Sequence, residues 1–232
     1  LLHFGARHLV LLSRSGKVSK ESWSMWEEVS KFTDAVVDVI KCDVCETREV
    51  QAVFGAIRDS GHFIGGVLHT AGVLRDRMVR GMSNDDFDVV CAPKVGGAWN
   101  LHHTTLLDAI DHFVTYSSIA GLLGGIGQAS YGFANAWMDG LSELRQSCGF
   151  GSSSVQWGPW DQVGMVANEG LGDQMANAGW KPITVGIGEL ALDALLREHP
   201  GCVAVMEADW AIVNRNVIGN LLATMCLSNE SD

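Results

Sequence analysis

HFVTYSSIAGLLGGIGQASYGFANAWMDGLSELRQSCGFGSSSVQWG, residues 112–158, decides the fold. Its opening, HFVTYSS (112–118), is a short apolar run of strand length. QASYGFANAWMDGLSELRQS (128–147) carries helical spacing, and SSVQWG (153–158) returns to strand composition. A strand, a helix and a second strand in this order form a βαβ unit, in which the two strands lie parallel.

The same alternation extends in both directions. Upstream, the pattern predicts strands over 8–13, 36–43 and 63–72, with helices around Trp23, Trp26 and Val29, over 48–61 and around 84–107. Downstream it predicts a helix over 188–199 and a strand over 202–208. Nearly continuous apolar strands alternating with helices indicate a single doubly wound α/β domain across 1–232, its parallel sheet covered on both faces. In such sheets the ligand lies beyond the carboxyl ends of the strands. The candidates for chemistry are therefore Arg14, Asp43, Thr70-Ala71-Gly72, Ser117-Ser118 and Gly158-Pro159-Trp160. The glycine-punctuated stretch 161–185 is positioned to act as a lid.

Composition removes several classes of function. The 232 residues carry 16 Lys and Arg against 27 Asp and Glu, a net charge of −11, so a phosphate-binding nucleic-acid surface is disfavoured. At 47% apolar residues the chain has enough material for a core and too much for disorder. The apolar N-terminus LLHFGARHLVLL is interrupted by His3, Arg7 and His8 and is too short to span a membrane. Six cysteines are too sparse for a disulfide framework, and Cys42-x-x-Cys45 lacks the second pair that a zinc site needs, so no metal is expected. These features point to a cytoplasmic protein.

Tyr131 and Asn135 are four residues apart on one predicted helix and so share a face. Ser118 ends the preceding strand, thirteen residues before Tyr131. A tyrosine hydroxyl donates a proton effectively near neutral pH only if the phenolate left behind is stabilised, and Lys94 is a candidate cation.

Together with LVLLSRSG (9–16), CDV (42–44), HTAGV (69–73), APKVGGAWNLH (92–102), YSSIAGLLGGIGQASYGFANAWMDGL (116–141) and VQWGPWDQVGM (155–165), these residues closely resemble the ketoreductase domain of modular polyketide synthases. Animal-type fatty acid synthases carry a similar domain. The resemblance places the chain among relatives of the short-chain dehydrogenases and reductases, with a Rossmann-like fold. It implies NADPH-dependent reduction of a 3-oxoacyl thioester held on the phosphopantetheine arm of an acyl carrier protein, with other synthase domains in the same polypeptide. Tyr131 would donate the proton and Ser118 would hydrogen-bond the carbonyl oxygen. Lys94 would lower the Tyr131 pKa and orient the cofactor ribose, and Asn135 would hold a water or the lysine. Ser13 and Arg14 would face the cofactor, Arg14 suiting the 2′-phosphate of NADP rather than the 2′-hydroxyl of NAD. Asp43 and Val44 would contact the adenine, and Ala71-Gly72 would let the backbone approach the cofactor.

Two features depart from the family pattern. A Leu-Asp-Asp motif marks members that form the D-configured hydroxyl, and here it reads Leu74-Arg75-Asp76; the opposite type has a tryptophan where this chain has Leu123, so the balance favours the D outcome. The first strand and the glycine-rich pyrophosphate turn of the family precede the region that Leu1 begins, and Leu1 to Phe4 before Gly5 reads as the last turn of a helix. The chain is accordingly expected to be part of a longer polypeptide, to lack a sheet strand between 8–13 and 63–70, and to bind NADPH poorly in isolation. The alternatives are a catalytically silent fragment or structural module of the same origin, and an unrelated α/β transferase. Asp43 could equally be an ordinary turn acid, His69 is expected to be a hydrogen-bonded core residue, His102 and His103 make a poor metal pair, and Trp157 and Trp160 are expected to flank the site.

Overall fold

The structure, a computed structural model, describes residues 1–2, 5–20, 22–161 and 172–213. The suggested helical turn at Leu1 to Phe4 lies partly outside these residues, as does 162–171 of the suggested lid.

Strands β1 (His8–Ser13) and β2 (Val36–Lys41) pair in parallel, with helix α1 (Trp23–Val29) between them. Helix α2 (Thr47–Asp59) leads to β3 (Gly66–His69), and α3 (Asn84–Cys91) and α4 (Gly97–Thr104) lead to β4 (His112–Ser118). A short α5 (Ile119–Leu123) and the long α6 (Ala129–Ser147) follow, then β5 (Ser153–Trp157), α7 (Gly172–Asn177), β6 (Trp180–Lys181), α8 (Val185–Glu198), β7 (Cys202–Val205), β8 (Glu207–Ala208) and α9 (Trp210–Val213).

The order β3-β4-β5-β7 forms a wholly parallel sheet, while β1 and β2 form a separate pair. Strands β1 and β3 are not paired with each other among the described residues. Both parts nevertheless share a core: Leu12, Cys42 and Val44 from the first pack with Val50, Phe54, Val67, Ala98, Leu101, Phe113, Met138 and Leu141. Side chains alternate across β4, so Phe113 joins this core while Val114 joins Val155, Trp157, Ile183 and Leu195 on the other face. That alternation is the doubly wound arrangement expected from the sequence.

Three spans differ from expectation. The strand predicted over 63–72 is paired only over Gly66–His69; Phe63 is fully exposed, and Gly65 spends its carbonyl on the amides of Asp111 and His112. The strand predicted over 202–208 divides, because Met206 packs with Ile119, Trp180 and Val213 and carries the chain away from β5. Beyond it β8 pairs antiparallel with β6, so the parallel pattern does not hold throughout. The single helix predicted around 84–107 is interrupted by a π-helical turn at Ala92–Gly96, where Pro93 has no N–H to continue the α-helical ladder.

Candidate active site

The π turn sets the position of Lys94. It turns this side chain inward, where only 2% of it is exposed, and leaves the Pro93 carbonyl to face His69 Nε2 at 3.0 Å. His69 is buried at the end of β3, and burial together with the Lys94 charge pushes it down to about 4, so it is a neutral core histidine near neutral pH. The Lys94 ammonium donates to the Tyr116 carbonyl at 3.0 Å and stands 5.3 Å from the centre of the Tyr131 ring. Burial pushes Lys94 down to about 8, against an upward pull from Asp139.

Ser118 closes β4 and caps α5, its Oγ accepting from the Ala120 amide at 3.2 Å. A Cβ on Gly121 would lie 3.0 Å from the Ala136 amide nitrogen and 3.2 Å from Asn135 Cβ; glycine here lets α5 press against α6 and keeps Ser118 near Tyr131. Asn135 is fully buried, donates through Nδ2 to the Tyr131 carbonyl at 2.8 Å, and leaves Oδ1 without a partner among the described residues. A buried acceptor of this kind is suited to a bound water or to a donor brought by a ligand.

The Tyr131 phenol differs from the sequence expectation in one respect. Its pKa lies above the ordinary tyrosine value because burial outweighs the pull of the Ser118 and Asn135 side chains, which favour the ionised form. Lys94 faces the ring, yet the net direction is up rather than down.

Ser118, Lys94 and Tyr131 line a cavity of about 520 Å³ at the carboxyl ends of β3, β4 and β5. Thr70 and Gly72 form part of its wall, and Trp157 and Trp160 flank it as expected. Met175, Ala178 and Trp180, from the described part of 161–185, close another side. Gln128 Nε2 donates to Asp76 Oδ2 at 3.0 Å across the rim, pinning the loop after β3 to the start of α6. Arg75 turns away from the cavity and pairs with Asp86 at 2.7 Å, so the residue that departs from the Leu-Asp-Asp pattern does not face the pocket.

The other expected cofactor residues lie outside this cavity. Arg14 follows β1, is exposed, and makes no hydrogen bond or ion pair among the described residues. Ser13 uses its Oγ to accept from the Gly16 amide at 3.1 Å, shaping the turn in which Arg14 sits. Asp43 does act as a turn acid, accepting from the Cys45 amide at 3.0 Å. The backbone at Val44 and Cys45 is held by Asn100 Nδ2 at 2.9 and 3.1 Å, a clamp with no local sequence signal. Ala71 is half-buried beside Gly72. Among the described residues no cluster of His, Cys, Asp or Glu could hold a metal, and no helix is long and apolar enough to cross a membrane.

A parallel sheet with a lysine, a tyrosine and a serine lining one cavity at its carboxyl ends is a Rossmann-like α/β architecture with its cavity where such folds hold their ligands. The family model of the KR domain matches residues 1–162, and the chain belongs to that family, the ketoreductase domains of polyketide synthases. It is 36% identical over 222 residues to the phenolphthiocerol synthesis polyketide synthase type I Pks15/1 of Mycobacterium marinum, covering 94% of this chain and 10% of that protein. A Mycobacterium tuberculosis relative, the type I polyketide synthase Pks1, whose name includes the word inactive, is 35% identical over 95% of this chain and 14% of its own length. Among solved structures, the A-type ketoreductases from a modular polyketide synthase superpose with a TM-score of 0.85 at 29% identity, covering 92% of this chain and 45% of theirs. The chain therefore spans only a small part of its curated relatives.

Proposed function

We propose that this chain, over residues 1–232, is a ketoreductase domain that uses NADPH to reduce a 3-oxoacyl thioester carried by an acyl carrier protein to the 3-hydroxyacyl thioester. What supports the reading most is the convergence of Lys94, Tyr131 and Ser118 in one cavity, the ammonium 5.3 Å from the phenol ring.

Three features of the chain support a nicotinamide cofactor. Asn135 offers a buried acceptor without a partner among the described residues, Thr70 and Gly72 line the cavity, and Arg14 is an exposed cation with no ion pair among the described residues, which would suit a 2′-phosphate. Lys94 would hold the nicotinamide ribose, Ser13 and Arg14 the adenosine ribose and its phosphate, and Asp43 and Val44 the adenine, with Ala71 and Gly72 alongside. A reduced nicotinamide supplies the carbonyl carbon with a hydrogen and its electron pair when bound.

The chain's own residues handle the oxygen. Ser118 donates a hydrogen bond to it as its charge grows, and Tyr131 gives it the proton. A phenol whose pKa is raised by burial is fully protonated near neutral pH and is therefore loaded as a donor. Lys94 offsets the phenolate charge that remains, and Asn135 holds the water through which the proton is replaced. Trp157, Trp160 and Trp180 exclude bulk water from the carbonyl. The part of 161–185 that lines the cavity acts as a lid over the acyl chain. The chain works as one domain of a cytoplasmic multidomain synthase whose other domains deliver the carrier.

The test is turnover of a 3-oxoacyl thioester by the polypeptide that carries this domain, followed through the loss of nicotinamide absorbance. NADPH consumption that exceeds NADH consumption and disappears in Tyr131→Phe is the expected result. Absence of turnover with either nucleotide overturns it, and nucleotide binding without turnover would favour the second reading, a silent module, which the name of the M. tuberculosis relative also suggests.

A further inference from the structure

A polar layer separates β4 and β5 from α6. Thr115, Ser117, Ser154 and Gln156 project into it from the strands, and Asn135 and Asp139 from the helix; all six are buried. Ser154 Oγ donates to Asp139 Oδ1 at 2.6 Å, Gln156 Nε2 donates to Oδ2 at 2.8 Å, and Thr115 Oγ1 donates to Ser154 Oγ at 2.9 Å. Both carboxylate oxygens are thus satisfied by neutral donors, and Asp139 forms no ion pair among the described residues. Lys94 forms none either; its one recorded hydrogen bond goes to the Tyr116 carbonyl. Tyr116 is the register partner of Val155, which lies between Ser154 and Gln156. The backbone group that holds the ammonium and the two side chains that hold the carboxylate therefore belong to one short patch of the β4–β5 ladder.

An isolated buried charge costs several kcal/mol, so two opposite charges set into the same patch stabilise each other even without contact. We propose that Asp139 is the buried counter-charge of Lys94, a positioning residue that keeps this lysine an ammonium at the Tyr131 ring while leaving its remaining protons free to face the cavity. The inference rests on the reading above only in giving Lys94 a task.

The groups around the pair leave Asp139 as the compensating charge. His69, on β3, is neutral because burial and Lys94 hold it down to about 4. The Tyr116 and Tyr131 phenols are both held protonated by burial. Cys202, on β7, is pushed up to about 12 by burial and by Asp139, so it remains a thiol; Glu143 acts on Cys202, Asp76 on Tyr131, and Asp139 on Lys94.

The test is a 13C NMR titration of lysine Cε, with the Lys94 signal assigned by Lys94→Arg, and it needs neither cofactor nor turnover. Asp139→Asn is expected to lower the Lys94 midpoint by about one pH unit, the scale of losing one nearby opposite charge. Ser154→Ala removes a donor but no charge and leaves the midpoint in place while lowering stability. A midpoint unmoved in Asp139→Asn, or moved equally in Ser154→Ala, overturns the pairing. If Asp139→Asn does not fold, the Lys94→Met/Asp139→Asn double variant decides: recovery of the folded state supports compensation, and failure to recover refutes it. Because the midpoint is read without substrate, a chain inactive as a reductase still tests the pair.

Discussion

Acidification tests the interior at the point where β3 meets the turn that carries Lys94. His69 is 2% exposed and is held down to about 4 in the folded chain, against an ordinary histidine value of 6.5. The unfolded chain thus takes up a proton at His69 as pH falls through 6.5, while the folded chain resists until about 4. Between these values the unfolded state binds more protons, so the contribution of His69 to stability is present above 6.5 and is lost as pH falls toward 4. At about 1.4 kcal/mol per unit the full loss is about 3 kcal/mol, and about 2 kcal/mol of it is reached on going from roughly pH 7.5 to roughly pH 5. Urea denaturation followed by far-ultraviolet circular dichroism measures it, with His69→Gln as the comparison because the glutamine amide can still donate to the Pro93 carbonyl. His102 and His112 are also held below their ordinary values, but they titrate in both proteins and cancel in the difference. Equal acid dependence in the unmodified chain and His69→Gln, or an imidazole NMR midpoint for His69 near the free value, would refute the reasoning.

Other perturbations reach the site directly. Tyr131→Phe removes the proposed proton donor while preserving the ring over which Lys94 sits; the rate of ketone reduction should fall by about 10²- to 10⁴-fold with nucleotide affinity retained, measured by steady-state kinetics and a binding titration. Arg14→Glu should reduce the preference for NADPH over NADH by about tenfold to a hundredfold, the scale of one lost charge-assisted hydrogen bond, and an unchanged preference would remove Arg14 from the cofactor site. Gly188→Ala puts a Cβ 2.1 Å from the Trp160 ring, so Trp160 must leave its place against Trp157. A loss of about 1–3 kcal/mol in a denaturation curve, with altered near-ultraviolet circular dichroism, is the expected result.

Local pattern made much of the architecture legible. Apolar runs at 8–13 and 112–118 became β1 and β4, and the helical run 128–147 became α6, because burial on two faces or on one helical stripe is written into neighbouring residues. Tyr131 and Asn135 share a helix face for the same local reason. The residues whose behaviour was misjudged answer to distant parts of the chain. The split between β7 and β8 depends on Met206 finding Trp180, and the raised pKa of the Tyr131 phenol depends on the elements that bury it.

What the sequence by itself determined, then, is the order of strands and helices and the presence of a serine, tyrosine, lysine and asparagine beside them. Tertiary structure alone decided that a π turn would turn Lys94 inward, that burial would hold the Tyr131 phenol above its ordinary pKa, and that Asp139 would meet Ser154 and Gln156. Periodicity is set by residues within a few positions of one another, whereas solvation and electrostatic balance depend on every element that closes around a group, and no stretch of sequence contains that information.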